Sequence, residues 1–309
     1  MPHNYSSMEV PHIDKQDQAS LGWWTAEDQQ LFYGQRVAIL GTGGAGGGVA
    51  ESLVREGMEV TLADPDVFGE TNLNRQNGSY KDTLGVNKAE AIAHQLQRIR
   101  PNADTRVFTE GITPDNMEEV LQDATIVLDA IDIAHGALSI MVARRARKLG
   151  LPVFMGIEIG YGCSVTCFDP NEAEMTAEHY YGVSNDLVVT AETDVPLSQI
   201  IVHMPSYSPK GMFEAFNAGK LPGTPGISPG VLILGGIMTT MINRWVLGRQ
   251  ATSPNFVYPK MYVLDPMDGI NVVDALEREE HLASSFDAIG TNLQSSGFSL
   301  PSGYKIRQP

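Results

Sequence analysis

Cysteine is nearly absent from this sequence. The 309 residues include only Cys163 and Cys167, too few for a disulfide framework or for a zinc site made of four cysteines. We therefore expect a reducing compartment and no structural zinc. The two cysteines share one face of a predicted strand, where buried cysteines act as small hydrophobic side chains, and this interpretation is favoured over a redox pair.

Basic residues are also scarce. The chain carries 21 lysines and arginines against 37 aspartates and glutamates, a formal net charge of −16. This balance disfavours a nucleic-acid surface, which needs a basic patch to neutralise phosphates. The single basic run, Arg144–Lys148, ends a predicted helix, where cations complement the helix dipole. An anion site there is the less favoured alternative.

Long hydrophobic segments and targeting signals are missing too. The longest apolar stretch, Val231–Ile242, is shorter than the ~20 residues that a membrane span needs. The first 20 residues are mixed and polar, unlike a secretory signal peptide. We expect a cytoplasmic protein that does not bind membranes, with residues 1–20 as an N-terminal arm.

A glycine-rich turn dominates what is present. The stretch Arg36–Gly46 reads RVAILGTGGAG, in which an apolar run typical of a buried parallel strand leads into glycines and then a helix. Such a turn lets the backbone approach an anion, which the first N–H groups of the helix face. The turn alone fits NAD, FAD, S-adenosylmethionine or ATP. The candidate cofactor-binding glycines are Gly41, Gly43, Gly44 and Gly46.

Apolar and helical segments then alternate along the chain. The alternation predicts an α/β fold with a doubly wound, mostly parallel sheet of Rossmann type and a ligand at the C-terminal ends of its strands. We expect one domain over residues 21–275, with an irregular crossover insertion at 171–228 that faces substrate, and a polar, flexible tail at 276–309. The predicted strands are 37–40, 58–63, 105–109, 125–128, 152–155 and 164–168, followed by C-terminal antiparallel strands at 256–265 and 270–273. The predicted helices are 85–100, 114–122, 134–149 and 229–247.

Polar residues that follow these strands carry the chemistry. Asp64 ends the second strand, where dinucleotide-binding folds hold a ribose hydroxyl. Arg75 and Lys88 at the same rim suit phosphate oxygens and the charge that develops during displacement at phosphorus. Asp132 follows the next buried strand and suits Mg²⁺ bridging phosphates, whereas Asp129 is better explained as a structural hydrogen-bond acceptor. These residues favour a nucleoside triphosphate over NAD.

At these positions the sequence resembles the ubiquitin-activating-enzyme-like adenylyltransferases typified by ThiF and MoeB. The resemblance covers about residues 20–275 and keeps the order and similar spacings of the family's motifs. The matching segments are Gly41-Thr-Gly-Gly-Ala-Gly46, Asp64-Pro-Asp66, Asn72-Leu-Asn-Arg75-Gln76, Gly85-Val-Asn-Lys88-Ala89, Asp129-Ala-Ile-Asp132 and the late helix beginning Ser228-Pro-Gly-Val.

The resemblance implies an enzyme that activates a carboxylate. The carboxylate would attack the α-phosphorus of ATP, giving an acyl-adenylate and pyrophosphate. The substrate would be the C-terminus of a peptide or small ubiquitin-like protein, or a biosynthetic intermediate, and the protein would be a homodimer. The implied catalytic residues are Arg75, Lys88 and Asp132, with Asp132 also the Mg²⁺ ligand. The implied nucleotide-binding residues are the four glycines, Asp64 at the ribose, Asp66, Asn72 and Gln76.

Four departures from the family pattern keep alternatives open. No arginine precedes residue 36, so the N-terminal arginine that completes the neighbour's site is absent or replaced, for example by Lys15. Ile133 stands where many members have asparagine. The paired CxxC motifs are missing, and the crossover 171–228 contains no cysteine for a thioester or persulfide. The alternatives are an NAD(P)-dependent oxidoreductase and a catalytically inactive scaffold subunit of the same fold.

Overall fold

One sheet of eight strands organises the chain. The computed structural model describes residues 13–190, 193, 195, 200–218, 220, 221, 223–248, 256–277, 280 and 282. The strands are β1 (Arg36–Leu40), β2 (Glu59–Ala63), β3 (Thr105–Phe108), β4 (Ile126–Asp129), β5 (Val153–Ile159), β6 (Gly162–Phe168), β7 (Lys260–Asp265) and β8 (Gly269–Asp274). Their order in the sheet is β3-β2-β1-β4-β5-β6-β7-β8.

The sheet is parallel in its first part and antiparallel in its second. β1 pairs in parallel with β2 and β4, β2 with β3, and β4 with β5, whereas β5 to β8 form antiparallel neighbours. Parallel neighbours need crossover connections. The chain first builds the sheet outward from β1 to β2 and β3, and then outward on the other side of β1 with β4 and β5. The order of strands therefore reverses between β1 and β4, where such folds bind ligands. The predicted α/β fold with C-terminal antiparallel strands is confirmed.

Helices cover both faces of the sheet. Alternate residues of β1 point to opposite faces, so that Val37 and Ile39 belong to one buried cluster and Ala38 and Leu40 to the other. The first cluster includes residues of α2, α3 and α8, and the second includes residues of α5 and of the crossover. The helices are α1 (Ala26–Tyr33), α2 (Gly44–Arg55), α3 (Lys88–Ile99), α4 (Met117–Val120), α5 (Gly136–Lys148), α6 (Ala177–Tyr180), α7 (Met212–Asn217) and α8 (Ser228–Val246).

Several element boundaries differ from the sequence-based prediction. β5 continues to Ile159 instead of ending at residue 155, because residues 156–159 pair antiparallel with β6 across a tight turn. β7 begins at Lys260 instead of 256, directly after Pro259, which has no N–H to donate to a sheet. The helix predicted at 114–122 is reduced to α4, with turns on both sides.

The N-terminal region and the tail are described only in part. Residues 15–20 form a 3-10 helix, and the carboxylates of Asp14 and Asp17 bind Arg100 at the C-terminal end of α3. The rest of the predicted arm, residues 1–12, lies outside the described residues, as does most of the predicted tail 276–309. Within the described part of the chain, no helix combines the length and apolarity needed to cross a bilayer.

The crossover is anchored to α5 by a buried carboxylate. Glu178 in α6 is fully buried and accepts hydrogen bonds from Arg144 and Arg147. Burial acts to raise the pKa of Glu178, but the hydrogen bonds from the two arginines outweigh it and hold the pKa below its ordinary value. Two arginines of the basic run at the end of α5 therefore hold the crossover. This role is additional to the favourable interaction of the basic run with the helix dipole.

Candidate active site

A cavity opens at the C-terminal ends of β1, β2, β4 and β5. Its volume is about 710 Å³. Two residues predicted to bind the cofactor, Gly46 and Asn72, are absent from its described lining. The predicted site residues that line it are Gly41, Gly43, Gly44, Asp64, Asp66, Arg75, Gln76, Lys88 and Asp132.

Glycine is required by geometry at two positions of the turn. Gly41 has φ +96°, and a Cβ there would lie 2.2 Å from the carbonyl oxygen of Ala130. A Cβ on Gly46 would lie 1.9 Å from the carbonyl oxygen of Gly41. Gly46 therefore allows the first turn of α2 to pack on the end of β1. Gly43 precedes α2 and Gly44 begins it, so both stand where backbone N–H groups lack helical partners.

Asp64 holds the glycine turn in place. Its carboxylate is 4% exposed and accepts hydrogen bonds from the backbone N–H of Thr42 at 2.6 Å and the hydroxyl of Thr42 at 3.1 Å. Its second oxygen accepts from the N–H of Asp66 at 2.9 Å. Asp64 thus lines the cavity and also fixes the shape of the turn above β1.

Lys88 enters the cavity from the first turn of α3. Its ammonium group lies 2.9 Å from the carboxylate of Asp66, and the residue is 8% exposed. The preceding residue, Asn87, caps α3 by accepting from the N–H of Glu90 and donates to the carbonyl of Asp64. This cap joins the start of α3 to the end of β2, and so fixes the backbone position of Lys88.

The loop before α3 supplies Arg75 and Gln76. One terminal nitrogen of Arg75 donates to the carbonyl of Thr71 and the side chain of Asn74, while Nε is buried and has no partner among the described residues. Oε1 of Gln76 is likewise buried without a partner there. Asn72 instead accepts from the N–H of Gly69 at 2.9 Å, which places it within the loop fold.

Two aspartates after β4 differ in burial. Asp129 is 5% exposed, and burial raises its pKa to about 6 although hydrogen bonds from Ser139 and the N–H of Ile131 oppose the shift. Asp132 is exposed and caps a short 3-10 helix by accepting from the N–H of Ala134 at 2.9 Å. An exposed carboxylate with a remaining free oxygen is a suitable ligand for Mg²⁺.

Sequence reasoning missed a fifth acid in the cavity, Glu158. It lies on the part of β5 that extends beyond the end of β4. Burial raises its pKa, Arg75 lowers it, and Asp132 raises it. The available signal was the alternation Ile157-Glu158-Ile159, which extends the strand past the residue where we expected it to end.

A second cavity adjoins the first beneath the crossover. Its volume is about 690 Å³, and it shares much of its described lining with the first cavity, including Asp132 and Phe216. Its described lining contains no lysine or arginine. Most of the lining is apolar or threonine, including Ile112, Pro114, Ile133, Leu138, Met141, Val195, Thr190 and Thr224. The space suits an uncharged part of a ligand whose reactive end reaches the first cavity.

The crossover is also tied to the turn between β7 and β8. His203, Asp265 and Asp268 bring metal-ligand atoms within 4.8 Å of one another. All four carboxylate oxygens already accept hydrogen bonds, from Ser206, the hydroxyl of Tyr207 and a backbone N–H of the turn. The group therefore serves as a polar clamp on the crossover.

The cysteines lie away from any reactive position. Both are buried in β6 within the cluster beneath α8. Burial, together with the charges of Glu158 and Asp265, raises the pKa of Cys163 to about 12, and burial also raises the pKa of Cys167. The interpretation as small buried side chains is confirmed.

Comparisons with known proteins agree with this architecture. The protein named tRNA threonylcarbamoyladenosine dehydratase from Escherichia coli K12 is 34% identical over 124 residues, which are 40% of this chain and 46% of that protein. The sulfur carrier protein ThiS adenylyltransferase of Bacillus subtilis is 34% identical over 135 residues, 42% of this chain and 40% of that protein. The chain thus spans less than half the length of these curated relatives.

Solved structures show the same fold. The crystal structure of PaaA superposes with a TM-score of 0.61 at 20% identity, covering 81% of this chain and 75% of that one. Escherichia coli MccB with ATP gives a TM-score of 0.58 at 15% identity, covering 86% and 72%. The ThiF family pattern matches residues 16–281, well over half of the sequence. The chain therefore belongs to the ThiF family.

Proposed function

We propose that this protein is an ATP-dependent adenylyltransferase that activates a carboxylate as an acyl-adenylate. The observation that carries the proposal is the convergence of Arg75, Lys88 and Asp132 on one cavity at the N-terminus of α2. An oxidoreductase that uses NAD(P) has no evident use for two cations at this rim. Relatives named adenylyltransferases, including the molybdopterin-synthase enzyme of Salmonella typhimurium, support the same choice.

The residues of the cavity suit displacement at the α-phosphorus of ATP. A substrate carboxylate oxygen forms a bond to that phosphorus, the bond to the bridging oxygen breaks, and pyrophosphate leaves with the electron pair. Lys88 and Arg75 neutralise charge on the phosphates, and the N–H groups at Gly43 and Gly44 face them. Positioning and charge neutralisation supply most of the catalysis in such reactions.

The remaining predicted residues divide into direct and supporting roles. Asp64 would bind the ribose. Asp66 pairs with the ammonium of Lys88, and Oε1 of Gln76 is buried without a partner among the described residues. Gly46 and Asn72 support the turn and the loop through packing and a backbone hydrogen bond. Asp132 would hold Mg²⁺, which when bound withdraws charge from the phosphates.

The acceptor of the activated acyl group is an amine or another nucleophile, and it is not one of this chain's two cysteine thiols. Both cysteines are buried, and their raised pKa values disfavour the thiolate. The substrate is a peptide, a small ubiquitin-like protein or a small carboxylate, and the apolar second cavity receives its uncharged part. A homodimer, a cytoplasmic location and no binding of nucleic acids or membranes remain predictions from the sequence.

One observation favours a second candidate, the inactive scaffold subunit. No arginine precedes residue 36, and Lys15 lies beside residues that bind Arg100, at the end of α3 opposite Lys88. Within one chain Lys15 is therefore far from the cavity. If the protein is a scaffold, nucleotide-dependent activity will arise only when a related subunit is added.

Carboxylate-dependent exchange of labelled pyrophosphate into ATP tests the proposal. Candidate peptides and carrier proteins are screened with the wild type, and an active substrate is then used with Lys88→Ala. We expect the substitution to lower exchange by about 100-fold, since it removes a charge that acts on the transition state. Lys81→Ala is the matched control, because Lys81 is exposed and pairs with Glu70 on the same loop. Equal activity of Lys88→Ala and the control would contradict the role of Lys88.

A further inference from the structure

Glu158 projects its carboxylate against the start of α2. Its Oε1 lies 3.3 Å from the position of a Cβ on Gly44 and 3.2 Å from that of a Cβ on Gly226. Gly44 is the first residue of α2, where free N–H groups and the helix dipole favour an anion. The carboxylate therefore stands beside the place where a phosphate group would bind.

Three other acids of the cavity are engaged by the fold. Asp64 is bound by Thr42 and Asp66 by Lys88. Asp129 accepts from Ser139 and a backbone N–H. Across the described residues, the carboxylate of Glu158 accepts a hydrogen bond only from its own backbone.

Arg75 lowers the pKa of Glu158 without an ion pair or hydrogen bond between the two described side chains. Arg75 Nε and Glu158 Oε1 lie 2.6 Å and 3.2 Å from the Cβ position of Gly226, so both side chains face this glycine. Burial raises the pKa of Glu158, which shows that its charged form lacks full compensation. Asp132, whose charge raises that pKa further, adds negative potential in the same part of the cavity.

We propose that Glu158 makes nucleotide binding depend on a divalent cation. The inference rests on the ATP-dependent function proposed above. A free triphosphate entering the cavity places negative charge against Glu158 and Asp132, and Arg75 and Lys88 are the lysine and arginine of the described lining that oppose it. A nucleotide that carries its metal brings the positive charge that this enclosed carboxylate lacks. Glu158 is thus a specificity-determining residue that selects the metal complex over the free nucleotide.

Glu158 has the larger effect of the two carboxylates because it is less exposed. Asp132 is exposed, so water and salt screen its charge. Glu158 is enclosed by Gly44, Gly226 and Arg75, where the effective dielectric constant is lower and repulsion is stronger. Removal of the charge at Glu158 should therefore strengthen binding of a metal-free nucleotide.

Calorimetric titration with the ATP analogue AMPCPP, once with Mg²⁺ and once with EDTA, tests the proposal. The proteins are the wild type, Glu158→Gln, Glu158→Ala and the control Glu90→Gln, in which an exposed glutamate one turn from the site is neutralised. We expect the ratio of affinities with and without Mg²⁺ to fall by about tenfold in both Glu158 variants, mainly through tighter binding in EDTA. The control should keep the ratio of the wild type.

Each other outcome has a distinct meaning. An unchanged ratio in the Glu158 variants would overturn the inference. Equal weakening of AMPCPP binding with and without Mg²⁺ would also overturn the inference, because that result would show that Glu158 only orients Arg75. If the wild type binds no AMPCPP under either condition, the proposed function itself fails, and that result is separate from the first two. Unfolding curves of each variant establish that the proteins compared are folded.

Discussion

The two halves of the molecule display their polar residues in different ways. In residues 36–148, most residues proposed for the chemistry follow the end of a strand or begin a helix, as Asp64, Lys88 and Asp132 do, and Arg75 lies in the loop between β2 and α3. In residues 149–277, the polar groups that shape the site come from a strand extension and a crossover that long-range contacts hold. The difference shows that a local pattern reveals a site only where local structure builds it.

Different kinds of contact hold the two halves. The turn in the first half is held by close backbone packing, of Gly46 on Gly41 within the motif and of Gly41 on Ala130 after β4. The second half depends on Glu178, which meets the two arginines of α5 more than thirty residues earlier in the chain. For substitutions in the second half, we therefore measure the effect on the free energy of unfolding and the effect on nucleotide binding separately.

The largest expected effect is on the anchor of the crossover. Glu178→Gln should lower the free energy of unfolding by about 3 kcal/mol, because it leaves two partly buried guanidinium groups without their carboxylate. The pKa of Glu178 is depressed, so its contribution is present above its ordinary value of 4.5 and is lost as the pH falls further.

Urea unfolding at pH 7 and at pH 4 measures this effect. The control is Glu174→Gln, which changes an exposed glutamate in the same crossover. If Glu178→Gln is no less stable than the control at pH 7, the buried pair does not anchor the second half, and the contrast between the halves fails.

The next effect lies at the seam between the two halves. Glu56, just after α2, has its pKa raised to about 7 by burial, although a hydrogen bond from Asn243 in α8 opposes the shift. Because the folded-state pKa is raised, the contribution of Glu56 is full below its ordinary value of 4.5 and is lost as the pH rises through about 7. Glu56→Gln should thus stabilise the protein by about 2 kcal/mol at pH 8.

Thermal and urea unfolding at pH 4 and pH 8 provide the check. At pH 4 the glutamate is mostly protonated in both the folded and the unfolded state, so the variant should nearly match the wild type there. Replacement of an exposed acid elsewhere, such as Glu119→Gln, should show no such pH-dependent gain. A stabilisation of equal size at both pH values would contradict the buried charge as its cause.

The smallest effect on stability should come from Gly226→Ala. The added Cβ would lie 2.6 Å from Arg75 Nε and must displace that side chain, which should weaken binding of AMPCPP with Mg²⁺ by about fivefold while stability changes by less than about 1 kcal/mol. Gly236→Ala in α8 is the control, since no atom lies within 4 Å of its Cβ position. Binding equal to that of the control would show that the second half does not constrain Arg75.

Much of the fold could be predicted because its signals are local. The parallel half follows from the buried run of β1, the glycine turn and the alternation of apolar and helical segments. The strands and helices of the structure follow that alternation. The extension of β5 was missed because Gly156 interrupts the apolar run, and only pairing with β6 keeps the chain extended. Glu158 was missed for the same reason.

The residues proposed for the site were taken from motifs and remain predictions. Gly46 and Asn72 belong to those motifs but are absent from the described lining of the cavity. A motif records which residues a fold needs and does not separate contact with a ligand from support of the backbone. The partners of Glu178 could not be predicted, because no local pattern joins α5 to a residue of the crossover.

Ligand-dependent thermal unfolding shows whether the cavity binds ATP or NADH. The wild type and Lys88→Ala are heated alone, with ATP and Mg²⁺, and with NADH. A ligand at about one hundred times its dissociation constant should add roughly 2.7 kcal/mol of stability. We expect ATP with Mg²⁺ to stabilise the wild type and to stabilise Lys88→Ala less, whereas NADH should stabilise neither. Stabilisation by NADH but not by ATP with Mg²⁺ would contradict the proposal that the cavity binds ATP.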